Sequence, residues 1–171
     1  MPPDALRGRE HLLPSGGRAL DVACGRGGVA TWLAGRDVPH GGFVVDAVDI
    51  SGSALAAGEE LARRHGVGDR VRWWRHDVDA GLPAGCAGPY AVVVCQRFRD
   101  PARYPDLVAR LAVGGLLVVT VLSEVDEGPG PYRAPAGELL RAFGALDVLH
   151  HVERDGEASL VARAPVTTSG P

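Results

Sequence analysis

The sequence predicts an α/β protein built on a mostly parallel sheet that closes with an antiparallel hairpin. Three observations carry this expectation. Short apolar runs alternate with amphipathic stretches along most of the chain. The first apolar run ends in an acid and passes straight into a glycine-rich turn, Asp21 to Gly28. The last two apolar runs are joined through Asp155 and Gly156, a strong short-range signal for a tight hairpin.

Taken in order, residues 18–24 read as a short buried strand. Gly28–Ala34 reads as the helix that follows, stopped by Gly35. Residues 43–50 form the second strand. Ser51 or Ser53 can cap the next helix, on which Leu55, Gly58, Leu61, Ala62 and His65 share one face. Gly66 can end that helix in the left-handed region. Residues 70–75 make a third, shorter strand. Tyr90–Gln96 is the fourth, and its AVVVC run suits a strand buried on both faces.

Pro105 sits near the start of a helix, where its missing N–H costs little, with Tyr104, Leu107, Val108 and Leu111 as the apolar stripe. Gly114 and Gly115 then turn the chain into a fifth strand, LLVVTVL. Residues 123–135 are rich in glycine and proline and read as a loop. Residues 136–143 form a short helix with Leu139, Leu140 and Phe143 facing inward. Residues 145–152 and 158–164 are the two hairpin strands. Parallel strands with helical connections imply right-handed crossovers.

Composition narrows the function. A chain of 171 residues, 46% hydrophobic with net charge −3, is read as one soluble domain over residues 1–164. Residues 1–17 would form a short N-terminal lid and residues 165–171 a flexible tail. The near-neutral charge offers no electrostatic footprint for nucleic acid. Lysine is absent, which removes P-loop, Schiff-base and Tyr–Lys dehydrogenase chemistry. Three scattered cysteines make neither a disulfide framework nor a zinc site, so no metal is expected. Cys24 and Cys95 read as small buried residues. The first residues hold no apolar run like a signal peptide, and no stretch approaches the ~20 apolar residues of a membrane helix. A cytoplasmic setting without membrane contact is the expectation.

The glycine-rich turn points to a nucleoside ligand. Gly25, Gly27 and Gly28 let backbone approach a ligand closely. The helix that starts there aims free N–H groups outward. Asp49, closing the second strand, suits two ribose hydroxyls.

These features, with an acid after the third strand and a closing hairpin, resemble the class I S-adenosylmethionine-dependent methyltransferases, a Rossmann-like fold with a seven-stranded sheet. The resemblance covers residues 11–164. The segments DVACGRGG…AVDIS, GGLLVVT and PAGELLRAF…ASLVAR are similar to small bacterial enzymes of the tellurite-resistance and thiopurine type. It implies S-adenosylmethionine as cofactor. Asp21, Ala23, Cys24, Gly25 and Gly27 would lie around its methionine end, Asp49 at the ribose and Ile50 against the adenine. Asp77 would accept from the adenine amino group beside the backbone of Val78. Cys95 and Gln96, ending the fourth strand, would lie where cofactor tail and acceptor meet.

Methyl transfer is an in-line displacement, so the protein mainly aligns the reactants and excludes water. No catalytic base is assigned among His11, His76, His150 and His151. Gln96 and Arg97 are the candidate acceptor-side residues. In QRFRDPARY, Arg97, Arg99 and Arg103 could recognise an anionic acceptor, or could be a solvated loop with Arg99 beside Asp100. Nucleic-acid amino methyltransferases usually carry an Asn/Asp-Pro-Pro-aromatic turn where this chain has QRFR, so a small-molecule acceptor is expected. The short lid suggests an open site, or a homodimer or partner subunit that completes it. Two other readings stand beside this one. A nicotinamide-dependent dehydrogenase shares the turn and ribose acid, but Ala23 replaces its first glycine. A methyltransferase-like module could bind the cofactor without turnover.

Overall fold

The computed structural model describes residues 1–36 and 42–166. The glycine-rich link before the second strand falls mostly outside these residues, as does the end of the expected tail. The seven strands are β1 (Gly16–Val22), β2 (Gly42–Asp49), β3 (Val71–Arg75), β4 (Tyr90–Gln96), β5 (Leu111–Leu122), β6 (Asp147–Arg154) and β7 (Glu157–Arg163). The α-helices among the described residues are α1 (Gly28–Ala34), α2 (Gly52–Arg64), α3 (Tyr104–Ala109) and α4 (Glu138–Phe143).

All seven strands join one sheet in the order β3-β2-β1-β4-β5-β7-β6. β1 to β5 run parallel. β7 is inserted antiparallel between β5 and β6, so the hairpin's first strand becomes the edge. The Rossmann-like α/β class expected from the sequence is observed. From β1 the chain winds outward to β3 and then returns to β4 on β1's other side. That reversal opens a crevice at the carboxyl ends of β1 and β4, where such sheets bind ligands.

Both faces of the sheet are covered, and consecutive β4 residues Val92, Val93 and Val94 are all buried. On one face Ala19, Phe43, Val45 and Val118 pack with Ala30 and Leu33 of α1, Ala62 of α2 and the N-terminal Ala5 and Leu6. On the other, Leu20, Val22, Val93 and Val119 meet Tyr104 and Leu107 of α3 and Leu139 and Phe143 of α4. Arg163 donates to the Leu12 carbonyl at 2.8 Å and ties the N-terminal segment to β7. No described helix is long and apolar enough to cross a membrane.

Several local expectations need correction. β1 starts earlier and stops at Val22, because Ala23 turns left-handed with φ 53°. Ser51, not Ser53, caps α2, its hydroxyl accepting from the Ala54 N–H at 3.2 Å. His65 is the C-cap just past α2 and is exposed, so it does not join the buried face of the helix. Leu140 is 41% exposed, so α4 turns only Leu139 and Phe143 fully inward. Leu111 opens β5 instead of extending the stripe of α3.

Gly114 and Gly115 lie inside a β5 of twelve residues and do not form a turn before it. Tyr90 pairs with Leu111 and Val92 with Leu116, so the residues between bulge out. A Cβ on Gly115 would lie 2.8 Å from the Tyr90 carbonyl oxygen, and this close approach requires the glycine. A second bulge, at Leu149, breaks the alternation in β6. His150 and His151 are consequently both half-buried, where strict alternation would expose one. The hairpin closes through Asp155 (φ 51°) and Gly156 (φ 74°), the left-handed pair that its sequence predicts.

One feature of the core escaped the sequence reading. Asp46, in the middle of β2, is fully buried. Its carboxylate accepts from Arg18 at 3.0 Å, Arg72 at 2.9 Å, the Trp74 indole at 2.9 Å and the Tyr90 hydroxyl at 2.8 Å. Burial pushes its pKa up, but these donors outweigh burial and hold it below the usual carboxylate range. The network locks β1, β2, β3 and β4 together away from the crevice.

Candidate functional site

The crevice is built from the turn after β1, the tip of β2, the loop after β3 and the end of β4. In register, Val22 of β1 lies opposite both Val48 and Cys95, so the three strand ends are level. The turn is held by backbone bonds. The Cys24 N–H donates to the Val48 carbonyl at 2.9 Å and the Gly27 N–H to the Cys24 carbonyl at 2.9 Å. Ala23, Gly25 and Gly27 all adopt positive φ.

The glycines divide by cause. A Cβ on Gly27 would lie 2.3 Å from the Trp73 ring, which also covers Gly58, so internal packing excludes a side chain there. At Gly25 and Gly28 a Cβ would meet nothing within 4 Å. These two glycines look onto open space, as a ligand cradle requires.

Asp49 stitches the turn to β2. One carboxylate oxygen accepts from the Gly25 N–H at 2.8 Å and the other from the Ser51 N–H at 2.8 Å. Each oxygen keeps a lone pair for a ligand. Beside it Ile50 is 60% exposed, an apolar side chain left in solvent at the crevice. The His76 N–H donates to the Asp49 carbonyl at 3.0 Å and brings the loop after β3 alongside. There Val78 is buried, while Asp77 is exposed and accepts from the Asp79 N–H at 3.1 Å, capping a short turn.

Asp21 is the outlier. It is 2% exposed, and one of its oxygens has no hydrogen-bond partner among the described residues. Burial, with some help from the Asp49 charge and against a bond from the Ala30 N–H, pushes its pKa up to about 7. A buried carboxylate with an unpartnered oxygen is costly unless a donor or cation meets it.

The cysteines supply no nucleophile. Cys95 is buried, and burial, aided by the Asp21 charge, pushes its thiol up to about 12. Cys24 is only half-buried, contrary to expectation, yet burial pushes its thiol up as well. Among the described residues no His, Cys, Asp and Glu cluster could hold a metal.

At the end of β4, the Gln96 amide donates to the Cys95 carbonyl at 3.1 Å. Arg97 is left-handed at φ 58°, its N–H donates to the Thr120 carbonyl at 2.7 Å, and its guanidinium meets Glu157 at 2.6 Å. Arg99 does not lie beside Asp100 as an ion pair. It is largely buried and forks onto Glu138, which also accepts from the Tyr104 hydroxyl at 2.8 Å. Arg103 bonds Asp106 at 2.8 Å. A cavity of about 400 Å³ opens here, bordered by Asp79, Arg97, Phe98, Arg99, Asp100, Leu122 and Tyr132. Another, of about 730 Å³, flanks the turn between Met1, Cys24, Gly28 and Trp32.

The crevice thus joins the acids and turn residues expected from the sequence, while Arg99 and Arg103 are committed elsewhere. Asp21's missing partner could not have been read from sequence, because it depends on what surrounds the carboxylate.

Comparison with known proteins gives this arrangement a context. A family model described as a methyltransferase domain matches residues 19–112. An uncharacterised protein from Synechococcus sp. is 34% identical over 112 residues, which is 63% of this chain and 26% of that protein. The chain spans about a quarter or less of the length of the curated relatives it matches. Among solved structures, TehB from Haemophilus influenzae superposes with TM-score 0.69 at 18% identity, covering 86% of this chain and 57% of TehB. A geranyl diphosphate C-methyltransferase from Streptomyces coelicolor was crystallised with Mg2+, geranyl diphosphate and S-adenosyl-L-homocysteine. It superposes with TM-score 0.70 at 16% identity, covering 95% of this chain and 79% of that one. At such identities these structures share the fold.

Proposed function

The chain belongs to the methyltransferase domain family, and from that premise we propose that it transfers methyl from S-adenosyl-L-methionine to a small-molecule acceptor. The observation that carries the reading is Asp21, a buried carboxylate with an unpartnered oxygen beside a turn that looks onto open space. The residues present fit the cofactor. Asp21 would hold its ammonium group, and the remaining lone pairs of Asp49 its ribose hydroxyls. Ile50 and Val78 would flank the adenine, and the free oxygen of Asp77 would take the adenine amino group. Ala23, Cys24, Gly25 and Gly27 would line the methionine end with Cys95.

When bound, S-adenosylmethionine supplies a methyl group already activated by its sulfonium. The chain's own work is then alignment and exclusion of water. Asp21 and Asp49 orient from one side, and Gln96 and Arg97 bound the acceptor from the other. No side chain is assigned as general base. The small-molecule acceptor is supported by the cavity of about 400 Å³, by a net charge of −3 without lysine, and by the small-molecule ligand of the Streptomyces neighbour. We place the reaction in one cytoplasmic domain spanning residues 1–164.

Calorimetric titration with S-adenosylmethionine, S-adenosylhomocysteine and NAD tests the cofactor. Micromolar binding of the first two is expected, weakened at least tenfold in Asp49→Ala. Binding of NAD alone would overturn the reading. Turnover on a panel of small acceptors separates an enzyme from a module that only binds.

A further inference from the structure

We propose that Arg97 anchors a carboxylate on the acceptor and that the Arg97–Glu157 ion pair is the contact this carboxylate replaces. The inference rests on the methyl-transfer reading above and adds the acceptor's class: a small monoanion with an apolar body.

Arg97 is the first residue beyond β4. Gln96 pairs with Thr120, and the Arg97 N–H donates to the Thr120 carbonyl at 2.7 Å. This clamp holds a non-glycine residue at φ 58°. Such strained backbone gathers at ligand sites, where the surrounding structure over-determines it. From there the guanidinium reaches Glu157, which pairs with Leu122 at the end of β5.

The neighbouring arginines are spent. Arg99 is 20% exposed at its side chain and forks onto Glu138, and Arg103 at 28% bonds Asp106. Arg97 differs. Its side chain is 71% exposed and, among the described residues, meets one carboxylate, that of Glu157, itself 33% exposed. Ion pairs this exposed contribute little and exchange readily. A guanidinium also has donors to spare after one contact, and its fork matches a carboxylate.

The surroundings select the acceptor. Arg97 borders the cavity of about 400 Å³ with apolar Phe98, Leu122 and Tyr132. Asp79 and Asp100 border it too, and the charge of Arg99, which also borders it, is already matched by Glu138, so a second negative charge on the ligand would be repelled. Glu157 borders a different cavity, of about 500 Å³, with Arg9 and Arg154 as well as Asp4 and Asp155. The ion pair therefore stands between two cavities. A displaced Glu157 would keep two guanidinium groups, Arg9 and Arg154, on its own side.

The test is calorimetry on the full chain saturated with S-adenosylhomocysteine, using benzoate, neutral benzamide and dianionic phenyl phosphate as probes. Benzoate should bind at least tenfold tighter than benzamide and tighter than phenyl phosphate. Arg97→Gln should weaken benzoate at least tenfold and leave benzamide unchanged, and Glu157→Gln should strengthen benzoate severalfold. Equal binding of benzoate and benzamide, tighter binding of phenyl phosphate, no benzoate binding, or an unchanged affinity in Arg97→Gln would each overturn the anchor. S-adenosylhomocysteine affinity, measured first on each protein, reports separately. Its loss in the unmodified chain would sink the methyl-transfer reading, whereas normal cofactor binding with failed benzoate arms sinks only the anchor.

Discussion

Asp21→Asn should make the cofactor-free protein more stable at alkaline pH while weakening its cofactor site. Asp21 is 2% exposed, and its pKa rises from 3.8 to about 7, first through burial and then through the Asp49 charge. At 1.36 kcal/mol per pKa unit, keeping it ionised inside the fold costs about 4 kcal/mol. The direction follows from proton counting. Below the unfolded pKa, near 3.8, the carboxyl is protonated in both states and has no effect. Between there and about 7 the folded state holds a proton that the unfolded state has lost, so stability falls as pH rises. Above about 7 the full penalty remains. Asparagine keeps the shape and can still accept from the Ala30 N–H, but it cannot ionise. Urea denaturation followed by tryptophan fluorescence should therefore show the two proteins similar near pH 4. Above neutrality Asp21→Asn should be more stable by up to about 4 kcal/mol. A variant less stable than the parent at alkaline pH, or a difference that does not change with pH, would refute the reasoning. The same variant should bind S-adenosylhomocysteine at least tenfold more weakly, because the charge that costs stability is the one proposed to hold the ammonium group.

Asp46→Asn should destabilise the protein by about 3 kcal/mol, since Arg18 and Arg72 lose their buried counter-charge. Because the folded pKa of Asp46 is depressed, its contribution is present at neutral pH, and the difference from the parent should shrink in denaturation curves as pH falls below the carboxylate range. Gly27→Ala should cost at least about 2 kcal/mol, combining a left-handed backbone with a methyl 2.3 Å from the Trp73 ring. An unaltered thermal midpoint would show that the ring moves aside freely. Ser51→Ala removes the cap of α2 and should cost about 1 kcal/mol in the same assay.

The order of strands and helices was legible because alternation and turn chemistry are local. Tyr90–Gln96 and Gly28–Ala34 end where the sequence places them, and Asp155–Gly156 turns as its type requires. The errors share a physical cause. Gly114–Gly115 looks like a turn until β4 approaches within contact of it, and Leu140 looks buried until the core proves to cover only the Leu139 and Phe143 side of α4. Asp46 was invisible because its four donors come from three other strands.

The candidate site divides in the same way. The sequence by itself determined the turn, the acids at two strand tips and the absence of lysine chemistry, since these depend on residue type and spacing along the chain. Only the tertiary structure decided which glycines face open space and which face Trp73, which arginine stays free of a buried partner, and that Asp21 sits where ionisation is costly. Those properties depend on solvent exclusion and on partners far away in sequence. They exist only once β1, β2 and β4 lie level beside one another.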